Sequence, residues 1–243
     1  MSGRYATALI AGHADTVDWL GIERAPPPDW IDDWDGPPLI EEPSGAWTRP
    51  SWNIAPTQMV TIVVQRRSGG PRKVGPARWG FVPRWWDKPL AAFKLTTFNA
   101  RSEEAAQKPM FRDAWASARC LIPAAGYYEW QREGSAKTPY FITADTNRPG
   151  FCFGGLWSVL QLGGERLVSC TILTTAAGDA TRHLHPRSPV VLHEDCWADW
   201  FAGRYVAMTP IPDERIRLHA VDSAVGNVRN DDAALTQPAD PAL

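Results

Sequence analysis

From residue 59 onward, short apolar runs separated by turn residues set the pattern of the chain. Met59-Val60-Thr61-Ile62-Val63-Val64 is β-branched and too short for a helix, and Ser68-Gly69-Gly70-Pro71 reads as the turn after it. Residues 79–82, 120–123, 139–142, 151–157 and 167–174 have the same character and are expected to be strands. Two stretches carry a helical pattern. One runs from 103 to 117 with Pro109 interrupting it; the other runs from 193 to 201, with Trp197, Trp200 and Phe201 on one face. Many strands and few helices predict an α+β fold, mainly β. We expect a single domain over residues 1–243, with a strand-rich core and a few flanking helices. No internal repeat is visible.

Residues 24–50 break the pattern. Arg24-Ala25-Pro26-Pro27-Pro28-Asp29-Trp30 begins a stretch too rich in proline for a regular helix or a central strand. It is expected to be a long surface loop, an insertion anchored by Trp30 and Trp34. The segment before it is too short to build a core of its own.

Composition adds two points. The 44% hydrophobic share is ordinary, but thirteen tryptophans are not. Most serve packing, yet flat rings also stack on bases, and Trp79, Trp85, Trp86 and Trp130 are the stacking candidates. The net charge of −2 conceals an asymmetry. Residues 11–46 hold nine acidic residues and one basic, Arg24, whereas residues 47–119 hold thirteen basic and four acidic. That local excess permits nucleic-acid binding despite the neutral total. No apolar run reaches the roughly 20 residues of a membrane span, and the start lacks the pattern of a signal peptide. Cys120, Cys152, Cys170 and Cys196 show no paired metal spacing. Reduced, buried thiols, no metal or other cofactor, no membrane partner and a cytoplasmic location are therefore expected.

Four short motifs carry the candidate chemistry. They are Met1-Ser2-Gly3-Arg4-Tyr5, Thr97-Phe98-Asn99-Ala100-Arg101-Ser102-Glu103, Gly126-Tyr127-Tyr128-Glu129-Trp130 and His185-Pro186-Arg187-Ser188-Pro189. In this order and spacing they resemble the SOS response-associated peptidase (SRAP) family. Residues 53–57, 78–83, 108–112, 174–176 and 225–231 also look like family segments, so the likeness runs over most of the chain. The resemblance implies a DNA-damage protein, a monomer acting on single-stranded DNA with abasic sites. Family members remove their own first methionine and capture the abasic sugar covalently through a cysteine at position 2. This chain has Ser2 there. The family also commonly carries an acid and a methionine where Pro186 and Ser188 stand.

The residues fit that chemistry. Removal of Met1 would free the α-amine of Ser2, which titrates near pH 8 and can attack the open-sugar aldehyde to form a Schiff base. A cysteine thiol closes a stable thiazolidine on that imine. A serine hydroxyl gives an oxazolidine that hydrolyses readily, so Ser2 predicts an impaired crosslink. Glu129, flanked by tyrosine and tryptophan, is expected to be partly desolvated and suited to proton transfer, and the resemblance places it beside the amine. His185, set by the His-x-Arg-x-Pro spacing, can protonate the ring oxygen and open the sugar. The Asn99 amide can hold sugar oxygens, and Arg101 and Arg4 can bind phosphate. The matched segments add Asn53, Pro56, Trp79, Trp130, Thr174 and Arg187 as DNA contacts. Two other readings stay open at this point: a peptidase acting on protein substrates, and a single-strand binding module without catalysis.

Overall fold

The computed structural model describes residues 3–7, 18–21, 49–162 and 165–239. Along these the chain forms β1 (Tyr5–Thr7), β2 (Ser51–Ile54), β3 (Met59–Val64), β4 (Lys73–Trp79), β5 (Asn99–Arg101), α1 (Ser102–Ala105) and α2 (Arg112–Ser117). There follow β6 (Arg119–Ala124), β7 (Gly126–Glu133), β8 (Ala136–Ala144), β9 (Phe151–Leu162), β10 (Glu165–Ala176), β11 (Arg187–Pro189), β12 (Val191–Leu192), α3 (Trp197–Phe201) and β13 (Ile216–Ala220). Short 3-10 turns link several of them. Among the described residues no helix is long and apolar enough to cross a membrane.

Five strands close on themselves. β3 pairs antiparallel with β4 and with β6, β6 pairs with β9, and β9 forms a long hairpin with β10. β10 then returns to β4 in parallel, Ser169 against Arg78 and Cys170 against Trp79. Closure into a barrel leaves these strands without open edges. It also explains the sequence of β3. Val60, Ile62 and Val64 face one core cluster while Val63 faces another, so both faces are covered and the strand is apolar at every position but Thr61. β5 and β11 extend the sheet from β10, and β12 extends it from β9. A second sheet, in the order β13-β8-β7-β1-β2, packs beside the barrel.

The mainly β, α+β expectation holds, with local differences. The strand expected at 79–82 ends at Trp79. Gly80 donates its N–H to the Cys170 carbonyl at 2.9 Å, and Val82 donates to the Ser169 hydroxyl at 2.9 Å, so this stretch crosses the barrel end as a buried loop. The helical stretch around Pro109 is two short helices, α1 and α2, separated at the proline. α3 buries Trp197, Trp200 and Phe201 together, as their spacing required. Cys120, Cys152 and Cys170 are buried, Cys196 is half-buried, and all four are unpaired thiols. Burial pushes the three buried thiols above their usual range. The proline-rich stretch lies outside the described residues except for Arg49 and Pro50.

Candidate functional site

β1 is only three residues long, yet it is an inner strand. It pairs with β2 on one side and β7 on the other, Tyr5 against Ile54 and Tyr5 against Tyr127. Tyr5 is buried against Trp79 and Phe153, which fixes the strand from its own side chain. The pairing continues toward the chain start, where the Tyr128 N–H donates to the Arg4 carbonyl at 3.1 Å. The next residue toward the start, Gly3, lies in a bend outside the strand. Gly3 has φ +66, and a Cβ there would lie 2.8 Å from the Phe98 ring and 3.1 Å from Pro56. Only glycine fits this left-handed, crowded position. Phe98 and Pro56 thus shape the entry of the N-terminus. Ser2, the candidate nucleophile, lies outside the described residues.

Glu129 is 3% exposed, on the same face of β7 as Tyr127 because side chains alternate along a strand. Burial pushes the Tyr127 hydroxyl up; its hydrogen bonds with Ser188 and Thr181 act against this, and the nearby Glu129 charge adds to it. Thr181 and Ser188 bond to each other at 3.2 Å. A buried hydroxyl network therefore ties Tyr127, the neighbour of Glu129 on this face, to the 181–189 segment, a link that the motifs alone did not show. The i, i+2 spacing of Tyr127 and Glu129 is the signal that could have found it.

His185 sits at the head of this segment. Its Nδ1 lies 3.0 Å from the Arg187 N–H and 3.1 Å from the Arg187 carbonyl, accepting from the first in one tautomer and donating to the second in the other. Burial lowers its pKa below the usual histidine value. Arg187 lies on β11 beside β10 and grips Glu103 with both terminal nitrogens, each at 2.8 Å, while it also donates to the Thr174 carbonyl at 2.6 Å. The guanidinium holds Glu103 below its ordinary range. Thr174, itself buried, lies level with Arg101 across the β10–β5 pairing. Asn99 follows Phe98 on β5, and its side-chain oxygen is buried with no hydrogen-bond partner among the described residues. An orphan acceptor of this kind is costly unless a ligand or terminus donates to it. Arg101 stands at the rim, exposed and paired to Glu104 at 3.1 Å.

The other expected DNA contacts are placed differently. Trp79 is 0% exposed, and its indole N–H donates to the Phe98 carbonyl at 2.8 Å; a stacking role for it is corrected to a core role supporting Phe98. Asn53 is 1% exposed and cannot meet a strand directly. Its amide donates to the carbonyls of Val225, Asn227 and Asn230, and its oxygen accepts from Arg4 at 2.8 Å. Arg4 also donates to the Val225 carbonyl at 3.0 Å, so its guanidinium binds the 225–230 loop. Two motifs of the sequence, 53–57 and 225–231, thereby prove to be one polar hub. Trp130 is half-buried on the opposite face of β7 from Glu129, packed with Tyr128. Trp86 packs edge-on to Phe93, whereas Trp85 is 53% exposed. Among the described residues no cluster of His, Cys, Asp and Glu could hold a metal ion.

Comparison with known proteins agrees with this architecture. The chain is 32% identical over 204 residues to the abasic site processing protein YoaM of Bacillus subtilis, covering 79% of this chain and 86% of that protein. It is 32% identical over 209 residues to the abasic site processing protein YedK of Escherichia coli, covering 83% and 88%. A crystal structure of a protein from Bacteroides thetaiotaomicron has the same fold, with a TM-score of 0.74 at 20% identity over 97% of this chain and 99% of the other. The family model described as SOS response associated peptidase (SRAP) matches residues 1–228. With that match spanning nearly the whole chain, this protein belongs to the SOS response associated peptidase family.

Proposed function

We propose that this protein recognises abasic sites in single-stranded DNA and engages the sugar aldehyde with its N-terminal amine after removal of Met1. The observation that carries this is the convergence at the chain start. Gly3 makes a turn that only glycine fits, against Phe98 and Pro56, next to the strand pairing that holds β1 to β7, on which Glu129 is buried. The names of the relatives, abasic site processing proteins from two bacteria, supply the substrate class. Schiff-base formation needs a neutral amine, proton transfers at the carbinolamine and an open sugar. Glu129 serves as the proton shuttle, and neutral His185 takes part in ring opening and reversal. Asn99 accepts hydrogen bonds from the bound sugar or the amine. Arg101, exposed at the rim, steers the phosphate.

Ser2 sets the outcome. Its amine forms the imine, but its hydroxyl does not close a durable ring, so capture is reversible. Intact-mass measurement after incubation with an abasic single strand, with and without borohydride, tests this. A borohydride-dependent adduct is expected. A stable adduct without reductant would overturn the assigned role of Ser2, and no adduct in either case, with Met1 shown to be gone, would overturn the imine.

A further inference from the structure

Two surface grooves meet at Trp157. One, of about 480 Å³, runs from Arg84 and Trp85 past Met110. The other, of about 520 Å³, is lined by the tip of the β3–β4 hairpin, including Arg66, Arg67 and Lys73. Ser117 and Trp157 line both, so the two form one channel. Its near wall is the 102–117 segment, which starts directly after Arg101 at the rim of the candidate site.

The far end of the channel is basic: Arg66, Arg67 and Lys73 line it, with Arg119 buried beneath the 112–117 helix. Arg67 donates to the Ala116 carbonyl at 2.5 Å. Arg119 lies between the rings of Trp115 and Trp200, at 5.0 and 4.5 Å, and donates to the carbonyls of Trp115, Trp200 and Arg204. Among the described residues neither guanidinium meets a carboxylate. Burial, and then the Arg67 charge, lower Arg119 to about 10, which still leaves it protonated at neutral pH. Arg66, Arg67 and Lys73 at this end, half-buried Trp157 at the junction and exposed Trp85 in the adjoining groove match a phosphate chain carrying flat bases.

We infer that this channel is a second nucleic-acid site, holding the backbone and unstacked bases of the same single strand at a distance from the abasic sugar. The inference rests on the abasic-site reading above. Strand geometry sets the distance. β10 is level with Arg101 at Thr174 and with Arg78 at Ser169, and β4 continues back to Lys73. At about 3.3 Å per residue the hairpin tip lies on the order of 30 Å from Arg101. A strand must therefore extend several nucleotides past the lesion to reach it.

The test compares a single strand of about five nucleotides with one of about twenty, within the usual range of single-strand site sizes and beyond it. Each carries a non-reactive abasic analogue, and an undamaged long strand is run in parallel. The wild-type protein is expected to bind the long strand at least tenfold more tightly than the short one. Arg66→Gln/Arg67→Gln should lose that gain and leave short-strand affinity unchanged, while Arg66→Lys/Arg67→Lys should keep it. The slope of log affinity against log salt for the long strand should fall by about 1.4 in the glutamine variant, from two lost phosphate contacts. An unchanged slope and long-strand affinity in that variant would overturn the channel, as would a wild type indifferent to length. Equal binding of damaged and undamaged long strands would instead overturn the abasic-site reading, and the variant's effect on the undamaged strand would still decide the channel.

Discussion

Gly3 is the residue on which the start of the chain turns. Its φ of +66 and the 2.8 Å approach of the Phe98 ring leave no room for a side chain. A left-handed alanine costs about 1–2 kcal/mol, and the overpacking against Phe98 adds about 1–3 kcal/mol. Gly3→Ala should therefore lower the midpoint of urea unfolding by an amount equivalent to at least about 2 kcal/mol and misplace the amine. At position 2 the chemistry is a matter of one atom. Ser2→Cys should give a crosslink to abasic strands that survives heating on a denaturing gel, while the chain with serine gives none. In that variant Glu129→Ala should slow capture at saturating DNA by about 10²–10⁴-fold, the scale of a positioned proton shuttle, with a much smaller effect on the dissociation constant. An unchanged saturated rate would make Glu129 a structural carboxylate. His185 carries a pH signature. Burial lowers its folded pKa below the unfolded value near 6.5, so the unfolded chain binds the proton more readily. Its contribution to stability is present above pH 6.5 and is lost as pH falls through the lower folded value. An NMR titration should place the His185 midpoint below 6.5, and His185→Asn should flatten the loss of stability on the acid side.

At the scale of elements, the pairing of distant motifs matters more than any single strand. Asn53 on β2 holds three carbonyls of the 225–230 loop, and Asp231 returns the grip by accepting the backbone N–H groups of Trp52 and Asn53, at 2.6 and 3.1 Å. Asn53→Ala leaves the Asn227 and Asn230 carbonyls without the amide, at about 1–3 kcal/mol for each group left unsatisfied, while Arg4 and the Val225 carbonyl keep each other. Hydrogen exchange should show the amides of 225–231 losing protection, with global stability falling by about 3 kcal/mol or more. This hub also shows what the sequence made legible. Strands with covered faces, such as β3 and β10, announced themselves through β-branched runs, and α3 through its aromatic spacing. β1, β2 and β7 did not, because their stability comes from partners far along the chain rather than from their own pattern. The motif residues Asn99, Glu129 and His185 were legible as candidates from their residue type and spacing. The roles of Arg4, Asn53 and Trp79 were not, since a polar or aromatic side chain in a motif reads alike whether it faces a ligand or the core. The Tyr127–Thr181–Ser188 network was hidden for a related reason: hydroxyls become a site only when the fold buries them together.

For the whole molecule, charge distribution is the property to measure. The net charge of −2 gives no general attraction for DNA, so binding must come from the basic surface of residues 47–119 and from exposed rings. Single strands should bind more tightly than duplex, with affinity falling steeply with salt; equal affinity for the two forms at moderate salt would contradict the stacking component. The position of β1 also has a consequence for biosynthesis. Tyr5 and Ala6 pair with Tyr127 and Gly126, which leave the ribosome more than a hundred residues later. At about 5–20 residues per second the first strand waits on the order of ten seconds for its sheet. During that interval Tyr5 and Ala6 lack their β7 partners, and afterwards β1 is an inner strand. The strand β1 is therefore made long before the strand that completes its pairing.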